Sequence, residues 1–160
     1  MAVWTTPIYD RTSADVADAK RILAQITEMG FNSLSAEDVL KWNTGFRGAF
    51  TFQTANRIEG NIEYLNEVLT GLGYFLPVRN VKTDWNRNDI PDAGLDSKII
   101  ENTRSLIDGT YLVDGVMLPT SMDFPEIDDI NAIEEIHQIL YNRIDKIKNG
   151  YRYCGVTYCG

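Results

Sequence analysis

The sequence predicts a mainly α-helical fold: one domain of 160 residues built as a small bundle of about four to five helices. An extended arm over residues 1–12 precedes the bundle, and a short β-strand or hairpin over 151–160 closes it. Three observations carry this expectation. Asn56–Leu72 places Ile58, Ile62, Leu65, Val68, Leu69 and Leu72 on one helical stripe, with Arg57, Glu59, Glu63, Asn66 and Glu67 on the other faces. The frame Ile-x-x-Asn-x-x-x-Leu recurs: Ile58, Asn61, Leu65, then Ile99, Asn102, Leu106, with a weaker copy at Ile133, Ile136, Leu140. Capping residues, glycines and prolines punctuate the chain between the periodic stretches.

In residues 1–12, Trp4 and Ile8 alternate with polar residues, and Pro7 disfavours helix at Thr6. Thr12 with Asp15 reads as a capping box, opening a helix whose stripe is Val16, Ala19, Ile22, Leu23, Ile26 and Met29. Gly30 is its stop. Ser35 with Asp38 is a second capping box, and the short helix behind it runs through Trp42. Residues 43–53 form a Gly-rich aromatic connection. Thr54 is placed to cap the Asn56–Leu72 helix, and Gly71 and Gly73 end it. Residues 73–91 read as irregular. The second copy of the frame gives a helix over Ala93–Leu106. The run YLVDGVML suggests a hairpin turning at Asp114-Gly115. The last helix is expected over Pro125–Lys148, with acidic residues at its start, lysines at its end and Gly150 as its stop. The tail YRYCGVTYCG alternates β-formers with glycine.

Two internal echoes stand out. One is the helical frame, read either as a structural repeat or as chance similarity between amphipathic helices. The other is D-x-x-x-x-D, at Asp10–Asp15 and again at Asp84–Asp89. Each follows an extended segment. It is either part of a repeated building unit or an ordinary consequence of Asp favouring helix starts.

Composition narrows the function classes. Apolar residues make up 44% of the chain and charged residues 24%, enough to bury a core. A net charge of −8 argues against a duplex nucleic-acid partner, which requires clustered cations. No run approaches the roughly 18 apolar residues that span a bilayer, and the first residues lack the pattern of a signal peptide. Both cysteines, Cys154 and Cys159, lie in the last seven residues, which is not the framework of a disulfide-rich secreted domain. The chain reads as folded in a reducing cytosol.

No cofactor or metal is expected. Cys154 and Cys159 supply two ligands where a zinc site usually needs four, and they read as small packed side chains, with a disulfide as the alternative. His137 sits beside an apolar stripe with no nucleophile pattern near it, and reads as a structural histidine. The cluster Asp123, Glu126, Asp128 and Asp129 lacks the EF-hand spacing and reads as helix-start charge. Gly45-Phe46-Arg47-Gly48 matches the G-x-x-G of a KH loop without the surrounding βααβ pattern, and reads as a turn. Asn61 and Asn102 either fix register between helices or lie at the stripe's edge in water. Trp4, Trp42 and Trp85 suit a subunit interface or a core; a sugar-binding surface, formed by Trp42, Trp85 or Tyr74, is the competing reading.

The stretches PIYDRTSADV (7–16), ANRIEGNIEYLNEVL (55–69), VKTDWNRNDIP (81–91) and RYCGVTYCG (152–160) carry a family likeness. The chain resembles small structural proteins, and N-terminal modules of tail and baseplate proteins, from phages and prophages of Gram-positive bacteria. In that group a K-T-D-W segment is followed by a helix containing N-R-I-E-x-N; the second copy here reads S-K-I-I-E-N instead. The resemblance implies a non-enzymatic virion component of a tail, baseplate or fibre attachment, made in the host cytoplasm and present in several copies. It implies self-association and contacts with other virion proteins, without nucleic acid or membrane. The expected contact residues are Trp4, Ile8, Trp85, Tyr151, Tyr153, Cys154, Val156 and Tyr158. A host cell-surface glycan is the alternative partner.

Overall fold

The computed structural model describes residues 2–89, 93–110, 115–121 and 125–157, with backbone only at 93, 95, 96 and 151–157. Five α-helices are described: α1 (Ser13–Met29), α2 (Ala36–Thr44), α3 (Phe52–Gly71), α4 (Ala93–Thr110) and α5 (Ile127–Thr157). A single 3-10 turn, Phe31–Ser33, lies between the first two. The mainly helical class is therefore observed.

Helices α3, α4 and α5 pack on one another and hold the main core. The three copies of the frame lie at its centre. Ile58, Ile99 and Ile133 are fully buried, and so are Leu65, Leu106 and Leu140. The middle positions, Asn61, Asn102 and Ile136, are all buried too. Equivalent sequence positions thus occupy equivalent depths on three helices, because spacings of three, four and seven return to one face.

The caps explain most helix starts. Thr12 and Asp15 form a capping box at α1, and the Ser35 Oγ accepts the Asp38 amide at 3.1 Å at α2. The α3 cap is Thr51 rather than Thr54, so that helix begins a turn earlier than expected. At its other end the Tyr74 amide donates to the Leu69 carbonyl at 2.9 Å across Gly73, whose φ of 91° suits glycine. Helix α4 runs one turn beyond Leu106.

The C-terminal strand or hairpin expected over 151–160 is not found. Helix α5 continues through Gly150 to Thr157. Gly150 does not adopt a positive φ, and it remains helical at a cost of about 1 kcal/mol. Extending an existing helix adds a hydrogen bond per residue without a new nucleus. That advantage outweighs the weak strand signal of alternating tyrosines. Residues 158–160, and with them Tyr158 and Cys159, lie outside the described residues. The hairpin expected at Asp114-Gly115 lies partly outside them as well; Gly115–Ser121 has no strand.

Helices α1 and α2 form a side lobe with its own small buried patch, Ala19 and Ile22. Arg21 reaches Asp38 at 2.7 Å and Lys41 reaches Asp18 at 2.9 Å across the lobe. The lobe meets the loop before α3 at Gly48. A Cβ on Gly48 would stand 2.1 Å from the Asp15 carbonyl oxygen. Backbone cannot yield there as a side-chain tip would. Gly48→Ala should therefore destabilise by about 1–3 kcal/mol, as overpacking does. A thermal melt of the variant measures this, and an unchanged midpoint would mean the loop moves freely away from α1.

Candidate functional site

The extended segments before α1 and before α4 are not loose. We call them straps. Each is held along the helices by side chains that pair with its backbone. Asn61 accepts the Thr5 amide at 2.9 Å and donates to the Thr5 carbonyl at 2.8 Å. Asn131 does the same for Arg11, at 3.3 and 3.0 Å. On the second strap, Asn102 clasps Arg79 at 3.0 and 2.9 Å, and Asn56 clasps Trp85 at 2.7 and 2.8 Å. Between each pair of clasps a carboxylate accepts one more amide: Glu134 from Ile8, and Glu59 from Lys82.

The contacts fall at Thr5, Ile8 and Arg11 on one strap and at Arg79, Lys82 and Trp85 on the other. A spacing of three is the repeat of a polyproline II chain, which has three residues per turn and no internal hydrogen bonds. Its orphan amides and carbonyls must find partners elsewhere, and asparagine side chains on the helices supply both kinds at once. The register continues beyond the clasps. Asp15 accepts the Thr12 amide at 2.8 Å, and Asp89 accepts the Asn86 amide at 2.9 Å. The two Asp echoes in the sequence are therefore one turn made twice. Asn61 and Asn102 are not at a wet stripe edge; they are buried clasps.

The clasping helices share a pattern that the frame alone did not reveal. Relative to the frame isoleucine, Asn stands two before and Glu one after: Asn56-x-Ile58-Glu59 and Asn131-x-Ile133-Glu134. Helix α5 supplies that pair to the first strap while α3 supplies Asn61. Helix α3 supplies the pair to the second strap while α4 supplies Asn102. For the third combination the residues are Ser97 and Ile100 on α4 and Ile136 on α5, so the polar set is missing.

Glu134 is also the centre of a buried ion cluster. Its carboxylate accepts from Arg11 at 2.8 Å and from Arg57 at 2.7 Å and 3.0 Å. Its own side chain is fully buried and that of Arg11 is 1% exposed. Burial lowers the Arg11 pKa, an effect that Glu134 opposes. Lys98 approaches Glu59 at 3.2 Å in the second strap's counterpart. These charges are occupied with architecture.

His137 is fully buried, and its Nε2 lies 3.1 Å from the Thr103 hydroxyl. Burial pushes its pKa down from 6.5 to about 4, against the upward pull of Glu134. The folded state therefore prefers the neutral ring. Between those two pH values the unfolded chain binds the extra proton, so stability is full above about 6.5 and falls as the pH drops toward 4. The loss amounts to about 3 kcal/mol for this group. Urea unfolding across that window should show the slope, and His137→Met should flatten it. The carboxylates held below their ordinary 3.8, such as Asp15 by the Thr12 amide and Asp89 by Lys82, act at lower pH.

An aromatic cleft lies where α2, the start of α3 and the end of the second strap meet. It encloses about 350 Å³ and is lined by Trp42, Phe46, Phe50, Phe52 and Trp85, among others. Tyr74, the third candidate sugar platform, is not in it and packs against the main core.

The expected contact residues fare differently. Trp4 stacks on Tyr141 at 4.3 Å and tilts against Tyr64 at 5.6 Å, so the first strap is docked on its own chain. Ile8 is half-buried under Glu134. Trp85 is half-buried between its Asn56 clasp and Lys82, whose ammonium lies 4.3 Å from the ring. These three make contacts within the chain, and each keeps part of its surface exposed. The backbone of Tyr151, Tyr153, Cys154 and Val156 is helical. Asp123, of the acidic cluster, is outside the described residues, while Asp129 caps α5 by accepting the Glu126 amide at 2.9 Å. Among the described residues no three His, Cys, Asp or Glu side chains gather as a metal site would require. No described helix is long and apolar enough to cross a membrane. No family model, no curated protein and no solved structure matches this chain.

Proposed function

We propose that this chain is a non-enzymatic structural component of a phage particle, in a tail, baseplate or fibre attachment. It acts by contact with copies of itself and with other particle proteins. It is made in the host cytoplasm and carried in the virion. The observation that supports this reading most is the use made of its buried and half-buried polar groups. Asn56, Glu59, Asn61, Asn102, Asn131 and Glu134 all hold straps against helices. Such side chains make a rigid, preformed surface rather than reactive chemistry. With Trp4 and Ile8 engaged internally, the outward apolar residues of the described surface become the contact candidates. Val3 is 78% exposed, Phe75 85% and Met117 88%. Large exposed apolar side chains of this kind are what subunit contacts bury. The C-terminal segment with Tyr151, Tyr153, Cys154, Val156 and Tyr158 completes the proposed contact set.

Mass spectrometry of purified particles from the bacterium that carries the sequence tests the assignment. The chain should be present in multiple copies per particle, and its absence from intact particles would sink the reading. Sedimentation of the full chain against a chain lacking 151–160 tests the tail. Loss of self-association with retained helix content is expected; continued assembly would remove the tail from the contact.

A further inference from the structure

The three core helices run parallel. The first strap meets Glu67 and Asn61 on α3 through Ala2 and Thr5, then Glu134 and Asn131 on α5 through Ile8 and Arg11. It thus descends both helices from the C-terminal side toward the N-terminal side. The second strap does the same. On α4, Leu76 lies over Gly109 and Arg79 pairs with Asn102; on α3, Lys82 and Trp85 pair with Glu59 and Asn56. The helices also share one height: Thr103 and His137, each four residues past its frame isoleucine, approach to 3.1 Å. Above that level their lengths differ. Helix α3 ends at Gly71, 13 residues past Ile58, and α4 ends at Thr110, 11 past Ile99. Helix α5 runs to Thr157, 24 past Ile133. It therefore projects roughly 16 Å beyond the end of α3 and slightly more beyond α4.

The apolar stripe does not stop where its cover stops. Ile133, Ile136, Leu140 and Ile144 are buried in the shared core. Spacings of three and four carry the stripe on to Ile147, which is half-buried, and then to Tyr151 and Cys154 on the projection. A short helix standing alone is marginal in water and is stabilised chiefly by packing its apolar face. The shoulder beside the projection is apolar too. Val3, Phe75 and Met117 are the three most exposed large apolar side chains among the described residues, and all fall at this end. Val3 follows Ala2, whose amide donates to Glu67 at 2.9 Å. Phe75 stands four residues past the end of α3. Met117 stands nine residues before the Glu126–Asp129 turn, as Val3 stands nine before the Thr12–Asp15 turn.

We propose that the projecting end of α5 pairs with the same segment of a second, inverted copy of this chain, giving a twofold dimer joined end to end. Geometry selects the inverted copy. A parallel partner helix on this stripe would bring its own bundle into the space that α3 and α4 fill. An inverted copy brings only its projection, which stands over the ends of α3 and α4. The step between helix ends and the projection have the same length, so each copy fills the other's step, and the contact closes on itself. Charge agrees. Within a chain of net charge −8, residues 143–152 hold Arg143, Lys146, Lys148 and Arg152 against Asp145 alone. Inversion brings these cations to the negative C-terminal ends of the partner's α3 and α4. The inference rests on the self-association proposed above and gives it a geometry.

Light scattering and sedimentation of the full chain should find a dimer. Tyr151→Lys, on the stripe, should weaken it by about tenfold or more, the loss expected for a central aromatic contact. Phe75→Ser, at an exposed shoulder residue outside the helices, should weaken it as well, which keeps the test intact if the Tyr151 variant loses helix content. Asn149→Lys adds the same charge on the opposite side of α5 and should leave the dimer unchanged. Orientation is read by energy transfer between dyes on Asp128→Cys, in a chain carrying Cys154→Ser and Cys159→Ser. Inversion puts the two labels on the order of 75 Å apart, so transfer should be weak. Strong transfer, or a trimer, overturns the inverted pairing. A dimer that both Tyr151→Lys and Phe75→Ser leave intact overturns this contact while self-association stands. A chain that stays monomeric at every concentration overturns both.

Discussion

Glu134→Ala should be the most damaging single substitution at the strap grooves, lowering stability by about 3–5 kcal/mol. The carboxylate is fully buried and is shared by Arg11 and Arg57. Its removal leaves two guanidinium groups near one another without a counter-charge, one of them almost wholly buried. It also strips the Ile8 amide of its acceptor. The native cluster already carries one more positive than negative charge, so no neighbouring Arg–Arg balance is available to absorb the loss. In a domain of this size each kcal/mol moves the melting midpoint by roughly 2–4 °C, so a drop on the order of 10 °C is expected. Thermal and urea unfolding measure it. Replacing Glu134, Arg11 and Arg57 together by apolar residues should cost far less than Glu134→Ala alone, because a missing ion cluster needs no desolvation. If the single and triple variants are equally unstable, the strap amide and the local packing matter, and the charges do not.

The fold was legible where period and capping agree. The stripe of α3, the caps at Thr12 and Ser35, and the stop near Gly73 all depend on neighbours within one or two turns, whereas of the α1 stripe only Ala19 and Ile22 are buried and Leu23 and Met29 are exposed. The recurring frame was visible as well, and the burial of Ile58, Ile99 and Ile133 shows why: three packed helices present the same face to a shared axis. What the sequence hid was the destination of the straps. Trp4 and Ile8 carry the marks of interface residues, since an apolar residue on an extended arm needs a partner. Nothing local says whether that partner is another chain or α3 and α5 of the same one. The clue lay in the helices. Asn-x-Ile-Glu occurs at Asn56–Glu59 and Asn131–Glu134, in phase with the frame. Buried Glu59 and Glu134, with half-buried Asn56 and Asn131 beside them, demand donors and acceptors, and two extended segments without strand partners have them to give. At the C-terminus the expected strand is helix through Thr157. Tyrosines alternating with glycine suggest a strand, but a lone strand has no ladder, whereas α5 already offered a helix to extend.

Asn61→Leu separates the two halves of this design most cleanly. The side chain is fully buried and makes both hydrogen bonds to Thr5, so leucine fills the volume and removes the clasp. The frame itself contains the apolar version, Ile136, buried at the equivalent position of α5 without disturbing the core. The helical core should accordingly persist. The strap should not: two hydrogen bonds at about 1 kcal/mol each give an opening of the 2–11 segment roughly 30-fold more frequent. Hydrogen exchange resolves this by residue. Amides of the first strap should lose protection, and Trp4 should leave its stack on Tyr141 more often. Amides of the second strap, clasped by Asn102 and Asn56, should keep theirs, because local openings differ between units of one structure. Asn102→Leu should produce the mirror result, exposing the segment around Arg79 and sparing Thr5. Uniform loss of protection in either variant would mean that the straps and the core unfold as one unit, and that the clasps contribute to global stability rather than to a separately held arm.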